Sequence, residues 1–200
     1  MNLSSFVKDI IDFQQDAIIR WKALGVKSQA EQFLAHVEAN HGFNYQLWHA
    51  EDRARRQDMG DAYVVEAKRE IDFCNQQRNN QMEHMDDYLI KILQPAHHEA
   101  CPVNSEAPGM MIDRLSIISL KVYHMHEQTL RQDVDKAHIH NCQAKLSQLL
   151  EQQAQLSECL ESLLKEVIAK TRTFRVYYQH KMYNDPKLNP ELYAKNQVQN

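Results

Sequence analysis

The chain is poor in turn-forming residues, with only four glycines and five prolines in 200 residues, against roughly 12% combined in an average protein. Many-stranded sandwiches, barrels and doubly wound sheets need a turn every ~10 residues, so all are excluded. Cysteine is scarce and scattered: Cys74, Cys101, Cys142 and Cys159 form no Cys-x-x-Cys pair, which leaves zinc-ribbon and dithiol redox chemistry without ligands. Three of the four fall in helical stretches and read as small buried hydrophobes in a reducing cytoplasm. No run approaches the ~18 apolar residues of a membrane span. The first residues, Met1 to Lys8, lack the basic-then-apolar pattern of a secretory signal. Lys and Arg total 23 against 27 Asp and Glu, a net charge of −4, so the basic excess of a nucleic-acid or anionic-membrane binder is missing. Phosphate-loop, serine-hydrolase, zinc-protease and dinucleotide motifs are absent as well. No cofactor, resident metal or nucleic-acid partner is expected.

What the sequence does have is helical periodicity. Phe6, Ile10, Phe13, Ala17, Trp21 and Leu24 step by three and four up to Gly25, an amphipathic helix. The period resumes at Phe33, Leu34 and Val37, and the polar run Asn40-His41-Gly42 predicts a break, with Asn44 capping a short helix through Leu47 and Trp48. Gly60-Asp61 opens a long helix to about Leu93. It carries an apolar stripe (Val64, Ala67, Ile71, Cys74, Met82, Met85, Leu89) interrupted by Arg78. Residues 95–109 hold three prolines and form the one long irregular connection. Pro108 then starts a helix with its seam at Met111, Leu115, Ile118, Val122 and Met125. Ile139, Cys142, Leu146, Leu149, Gln153, Leu156, Leu160, Leu163 and Val167 follow as a heptad seam in which Gln153 is the register-fixing polar residue. A helix from Asp135 to Tyr177 would span roughly 65 Å, so it kinks or projects toward a second copy. The expected fold is all-α: an antiparallel bundle of long helices, one domain over 1–181, with an extended tail over 182–200, forming a homodimer.

Helical spacing aims ionisable groups together at several places. His49 with Asp52, His124 with Glu127, and Glu38 with His41 are three apart and share faces. They resemble the carboxylate–histidine pairs of di-metal bundles, although two run in reverse order, and chance pairing is the favoured explanation. Leu47 to Arg56 packs one histidine, two carboxylates (Glu51, Asp52) and three arginines together, suited to acid–base work or anion capture. The plainer reading is a surface helix with the ion pairs Glu51–Arg55 and Asp52–Arg56. Arg78 on an apolar stripe demands a carboxylate, with Asp72, Asp113 and Glu51 as candidates. Asp113 and Arg114 sit beside a seam of their own. Finally, Arg172 to Pro186 interleaves aromatics and cations (Arg175, Tyr177, Tyr178, Lys181, Tyr183) before the turn Asn184-Asp185-Pro186. It reads as an interaction surface ahead of a small-molecule site.

Several ordered strings together resemble the bacterial DUF4254 family, a domain of unknown function. They are Leu47-Trp48-His49-x-Glu51-Asp52-x-Ala54-Arg55-Arg56, Lys68-Arg69-x-Ile71-Asp72, Asn75-Gln76-x-Arg78-Asn79 and Ser105-Glu106-x-Pro108. Ile112-Asp113-Arg114-Leu115-Ser116-Ile117, Leu120-Lys121-x-Tyr123-His124-Met125-x-Glu127-Gln128 and Lys181-Met182-Tyr183-Asn184-Asp185-Pro186-x-Leu188-Asn189-Pro190 complete the set. The likeness covers roughly residues 40–193. Ala107 and Gly109-Met110 depart from it, where threonine and a bulky aromatic are more usual.

The resemblance implies no activity. It implies an association with heptosyltransferase-type glycosyltransferases of surface-glycan assembly. It also implies that His49, Glu51, Asp52, Asp72, Arg78, Asp113, Arg114, His124 and Glu127 line one intra-bundle site. The favoured expectation is therefore a cytoplasmic binding or accessory protein with a glycosyltransferase or other protein partner, not an enzyme. The alternative is an enzyme acting on a phosphorylated or nucleotide-sugar substrate. In it His49 or His124 serves as acid–base, with Glu51, Asp52 or Glu127 orienting it. Arg78 and Arg114 hold the anion, and Asp72, Asp113, Arg175, Lys181, Tyr183, Asn184 and Asp185 contribute binding contacts.

Overall fold

The computed structural model describes residues 3–180, 182 and 185–194; Lys181, Tyr183 and Asn184 lie outside the described residues. The fold is an all-α bundle. Helix α1 spans Leu3–Leu24, α2 Gln32–Ala54, α3 Asp61–Leu93, α4 Pro108–Thr129, α5 Lys136–Ile168 and a last turn, α6, Pro190–Tyr193. Short links make two hairpins, α2 with α3 and α4 with α5, and α4 sits in the middle, touching α1, α2, α3 and α5. The seams predicted from three- and four-residue steps contribute most of the core: Ile10, Val37, Met85, Leu89, Met111, Leu115, Leu160, Leu163 and Val167 are all buried. Burying each such side chain is worth about 1.5–3 kcal/mol.

Two predicted boundaries are corrected. Asn40-His41-Gly42 does not break α2, which runs unbroken through Ala54. Asn40, His41 and Asn44 are buried inside the bundle, with their side chains bonded to neighbouring helices rather than to local backbone. A Cβ on Gly42 would make only ordinary contact with the Trp21 ring, at 3.6 Å.

Helix α5 ends at Ile168, not near Tyr177. Lys170 adopts a left-handed φ of 61°. Thr171 N–H donates to Glu166 O (3.0 Å) and Lys170 N–H to Val167 O (3.1 Å), the paired bonds of a Schellman end. Glycine normally marks such an end. Here the Lys170 ammonium donates to the carbonyls of Leu93 and Gln94, tying the end of α5 to the end of α3. The chain beyond is extended. Thr173 bridges Val103 in parallel, Tyr178 Oη donates to Asp87 (3.0 Å) and Gln179 N–H to Glu83 (2.8 Å). The aromatic–basic segment expected on a helix thus runs as an extended strap along α3.

The start of α4 is seated by close backbone approach. Gly109 N–H donates to the buried Asp86 carboxylate (2.6 Å), and a Cβ on Gly109 would stand 2.4 Å from the Met82 carbonyl oxygen. Glu38, 1% exposed, gathers the α1–α2 link, accepting from Arg20 (2.6 Å), Ser28 Oγ (3.1 Å), Gln29 N–H (2.7 Å) and Ala30 N–H (2.8 Å).

Candidate functional site

A chain of polar side chains crosses the bundle interior from α3 to α5. Arg78 donates to Asp113 from Nη2 (2.5 Å) and Nε (3.2 Å), so Asp113 is the carboxylate that Arg78 requires. Asn40 and Asn44 each donate to Asp113 Oδ1 at 2.9 Å, and Asn44 also donates to Ser116 Oγ (2.9 Å). His41 Nε2 lies 2.9 Å from the Gln14 carbonyl and Nδ1 2.7 Å from Ser116 Oγ. A carbonyl only accepts, so the imidazole proton is on Nε2 and Ser116 donates to Nδ1. Full burial pushes the His41 pKa down to about 3, which keeps the ring neutral. Ser119 Oγ donates to Gln14 Oε1 and accepts from Gln153 Nε2, both at 3.0 Å, which seats the polar residue of the heptad seam.

Beside this chain lies a cleft of two chambers. The inner one, about 390 Å³, is bounded by α2, α3 and α4 and lined by Asn44, Leu47, Trp48, Arg78, Ile117 and Leu120, with Glu51, Asp52 and Arg55 also on its wall. The outer one, about 540 Å³, is bounded by α2, α4 and α5; Lys121, His124, Lys145 and Gln152 are among its lining residues. Trp48 and Asp52 line both. Trp48 stacks on the His124 ring, with centroids 4.5 Å apart and planes 10° from parallel. His124 Nδ1 is 3.4 Å from Glu127 Oε2, and its buried Nε2 has no hydrogen-bond partner among the described residues. Burial lowers the His124 pKa below the ordinary imidazole value, with Glu127 pulling the other way. The Lys22 ammonium bonds Glu127 and holds its carboxyl below the usual range.

The predicted site residues therefore separate. Glu51, Asp52, His124 and Arg78 meet at the cleft, with Glu127 behind His124 and Asp113 behind Arg78. His49 is exposed and sits at the rim, edge-on to the rings of Tyr45 and His124. Asp72 points outward to Lys68, and Arg114 forms an exposed pair with Glu106 (2.7 Å). Neither belongs to an intra-bundle site. Arg56 pairs with Asp58, not Asp52, while Glu51–Arg55 forms at 2.8 Å. Arg175 is exposed on the strap, and Asp185 accepts from Lys187 N–H in a turn (2.8 Å); neither reaches the cleft.

The three carboxylate–histidine pairs do not converge, since Glu38 serves the α1–α2 link and His41 the polar chain. Among the described residues, His97, His98 and Glu99 bring three metal-type ligand atoms together, and all three are exposed, away from the cleft. A wider groove of about 800 Å³ between residues 104–106 and α5 has two of its carboxylates, Glu106 and Glu166, already committed to Arg114 and Arg172.

Gln14, Asn40, Asn44, Ser116 and Ser119 were not singled out from sequence as site residues, nor were Trp48, Lys121 and Lys145, and His41 was considered only as the partner of Glu38. A signal existed: Asn40 and Asn44 are four apart, and Asp113, Ser116 and Ser119 three apart, each set on one face.

The fold and cleft define a helical bundle with a polar interior and a small-molecule-sized side cleft. The chain belongs to the DUF4254 family, described as a protein of unknown function, whose profile matches residues 34–176. No curated protein and no solved structure matches it. Among the described residues no helix is long and apolar enough to cross a membrane.

Proposed function

We propose that the chain is a helical binding protein that holds a small anionic molecule in the cleft between α2, α4 and α5. The observation that carries this reading is the outer chamber itself: the Trp48–His124 stack forms one wall, and Lys121 and Lys145 come from two different helices to line it. Aromatic surface with a few convergent polar groups is the usual make-up of a small-molecule site.

The same proposal includes an accessory role in cytoplasmic surface-glycan assembly, as a homodimer partnering a glycosyltransferase. The family resemblance supports that role. So do Tyr177 and Tyr178, exposed beside Arg175, which are residue types that anchor protein interfaces. Leu150 and Ile168, exposed on α5, supply apolar surface for a second copy.

A thermal-shift screen against phosphates, sugar phosphates, nucleotides and nucleotide sugars tests the binding reading. A ligand at 100 times its Kd adds ~2.7 kcal/mol to stability, a rise of a few degrees. The rise is expected for the anionic classes and is lost in Lys145→Glu; silence across the panel contradicts it.

A second reading, an enzyme on a phosphorylated or nucleotide-sugar substrate, is favoured by one observation. His124 Nδ1 lies 3.4 Å from Glu127 Oε2, and its buried Nε2 has no hydrogen-bond partner among the described residues, the pairing of an imidazole with an orienting carboxylate. Turnover of such a substrate that disappears in His124→Gln, with binding retained, distinguishes it from pure binding.

A further inference from the structure

The outer chamber holds more than the two ammonium groups an anion needs. Asp52 reaches its wall from α2, Lys121 and Gln128 from α4, and Lys145, Gln148 and Gln152 from α5. The three from α5 step by three and four and so share one face. All six except Gln128 are exposed, so their polar ends are open to a ligand. At about 540 Å³ the chamber has room for a ring as well as a phosphate.

Asp52 is the residue that does not suit a bare anion. The partner its spacing predicts, Arg56, is held by Asp58 through two bonds (2.8 and 2.7 Å). Asp52 pairs with neither lysine across the chamber, and the side chains of Asp52, Lys121 and Lys145 make no hydrogen bond or ion pair among the described residues. A free carboxylate beside a bound anion weakens it by like-charge repulsion, unless the same ligand brings a donor for the carboxylate to accept. An ammonium donor would face Lys121 and Lys145, whereas a hydroxyl meets no such opposition. Gln148 and Gln152 extend the match, because a carboxamide donates and accepts, as a hydroxyl does. Gln128 has its Oε1 taken by Arg131 Nη1 (3.1 Å), which leaves its N–H groups to donate.

We propose that the outer chamber takes a phosphorylated sugar. The phosphate sits between Lys121 and Lys145, and ring hydroxyls donate to Asp52 and meet the carboxamides of Gln148 and Gln152. This rests on the anion-binding reading and adds to it the nature of the group that carries the anion.

The test is calorimetric titration of the full chain with inorganic phosphate, glucose 1-phosphate and the same sugar as its uridine diphosphate ester. The tighter ester should bind at least about tenfold better than phosphate, as a charge-assisted hydrogen bond allows. Which ester it is identifies the source of the sugar. Asp52→Ala separates the two effects of the carboxylate, and its exposed position leaves the fold intact. The variant should bind phosphate as well as the wild type or better, because the repulsion is gone, while its preference for the ester falls about tenfold. Lys145→Glu should weaken all three ligands.

Equal affinity for phosphate and both esters, or an ester preference unchanged in Asp52→Ala, overturns the sugar assignment and leaves anion binding standing. Absence of binding by all three overturns both readings.

Discussion

Asp113 is the residue on which the interior depends. It receives Arg78, Asn40 and Asn44 at once, so Asp113→Ala strands a guanidinium and two amides in the bundle. Breaking a buried pair from one side costs about 3–5 kcal/mol, and urea denaturation of the variant should report a loss of that size.

Two other buried groups set the pH dependence, with opposite signs. Burial raises the Asp86 carboxyl from 3.8 to about 7, against the pull of the Gly109 N–H. Its contribution is fully present below pH ~4 and is lost as pH rises toward 7. His41, lowered from 6.5 to about 3, does the reverse: its contribution is present above pH ~6.5 and is lost as pH falls toward 3. Between about pH 4 and 6.5 the two slopes, each roughly 1.4 kcal/mol per pH unit, oppose one another. Asp86→Asn keeps the acceptor for Gly109 and removes one slope. The variant should therefore gain stability with rising pH across that window where the wild type stays nearly flat. Parallel profiles for the two proteins would contradict the assignment.

Among the elements, α4 holds the arrangement together, and its seat on α3 is tight. In Gly109→Ala the added Cβ meets the Met82 carbonyl oxygen at 2.4 Å, which is backbone and cannot swing aside. Thermal denaturation should show a loss of about 1–3 kcal/mol, the usual cost of overpacking. Helix existence and the apolar seams were legible because periodicity reports burial directly, as the Leu115 and Leu160 seams illustrate. Boundaries were legible only where turn chemistry was explicit, at Gly25, Gly60 and Pro108. The end of α5 was hidden because Lys170, not glycine, takes the left-handed position. The run Asn40-His41-Gly42 looked like a break because polar residues in sequence do not reveal whether water or another helix satisfies them.

For the whole molecule, the same ambiguity separated the predicted site. Arg78 had three candidate carboxylates within helical reach of an inward face, and only the packing of α3 against α4 selects Asp113 over Asp72 and Glu51. The pairing of His124 with Glu127 was legible because it is local, three residues along one helix. The cleft was not, because Trp48, Lys121 and Lys145 lie on three helices whose approach no local pattern encodes.

The central claim is that this cleft takes a small anionic ligand, and the chain carries a built-in reporter for it. It has two tryptophans: Trp48 lines both chambers, while Trp21 is buried elsewhere, with its indole N–H on the Lys27 carbonyl (3.4 Å). The most direct measurement is an NMR titration with glucose 1-phosphate that follows the two indole N–H signals. Saturable movement of the Trp48 signal with Trp21 unmoved is the predicted result. A Trp48 signal that stays in place across the titration, while the protein remains folded, would contradict the claim.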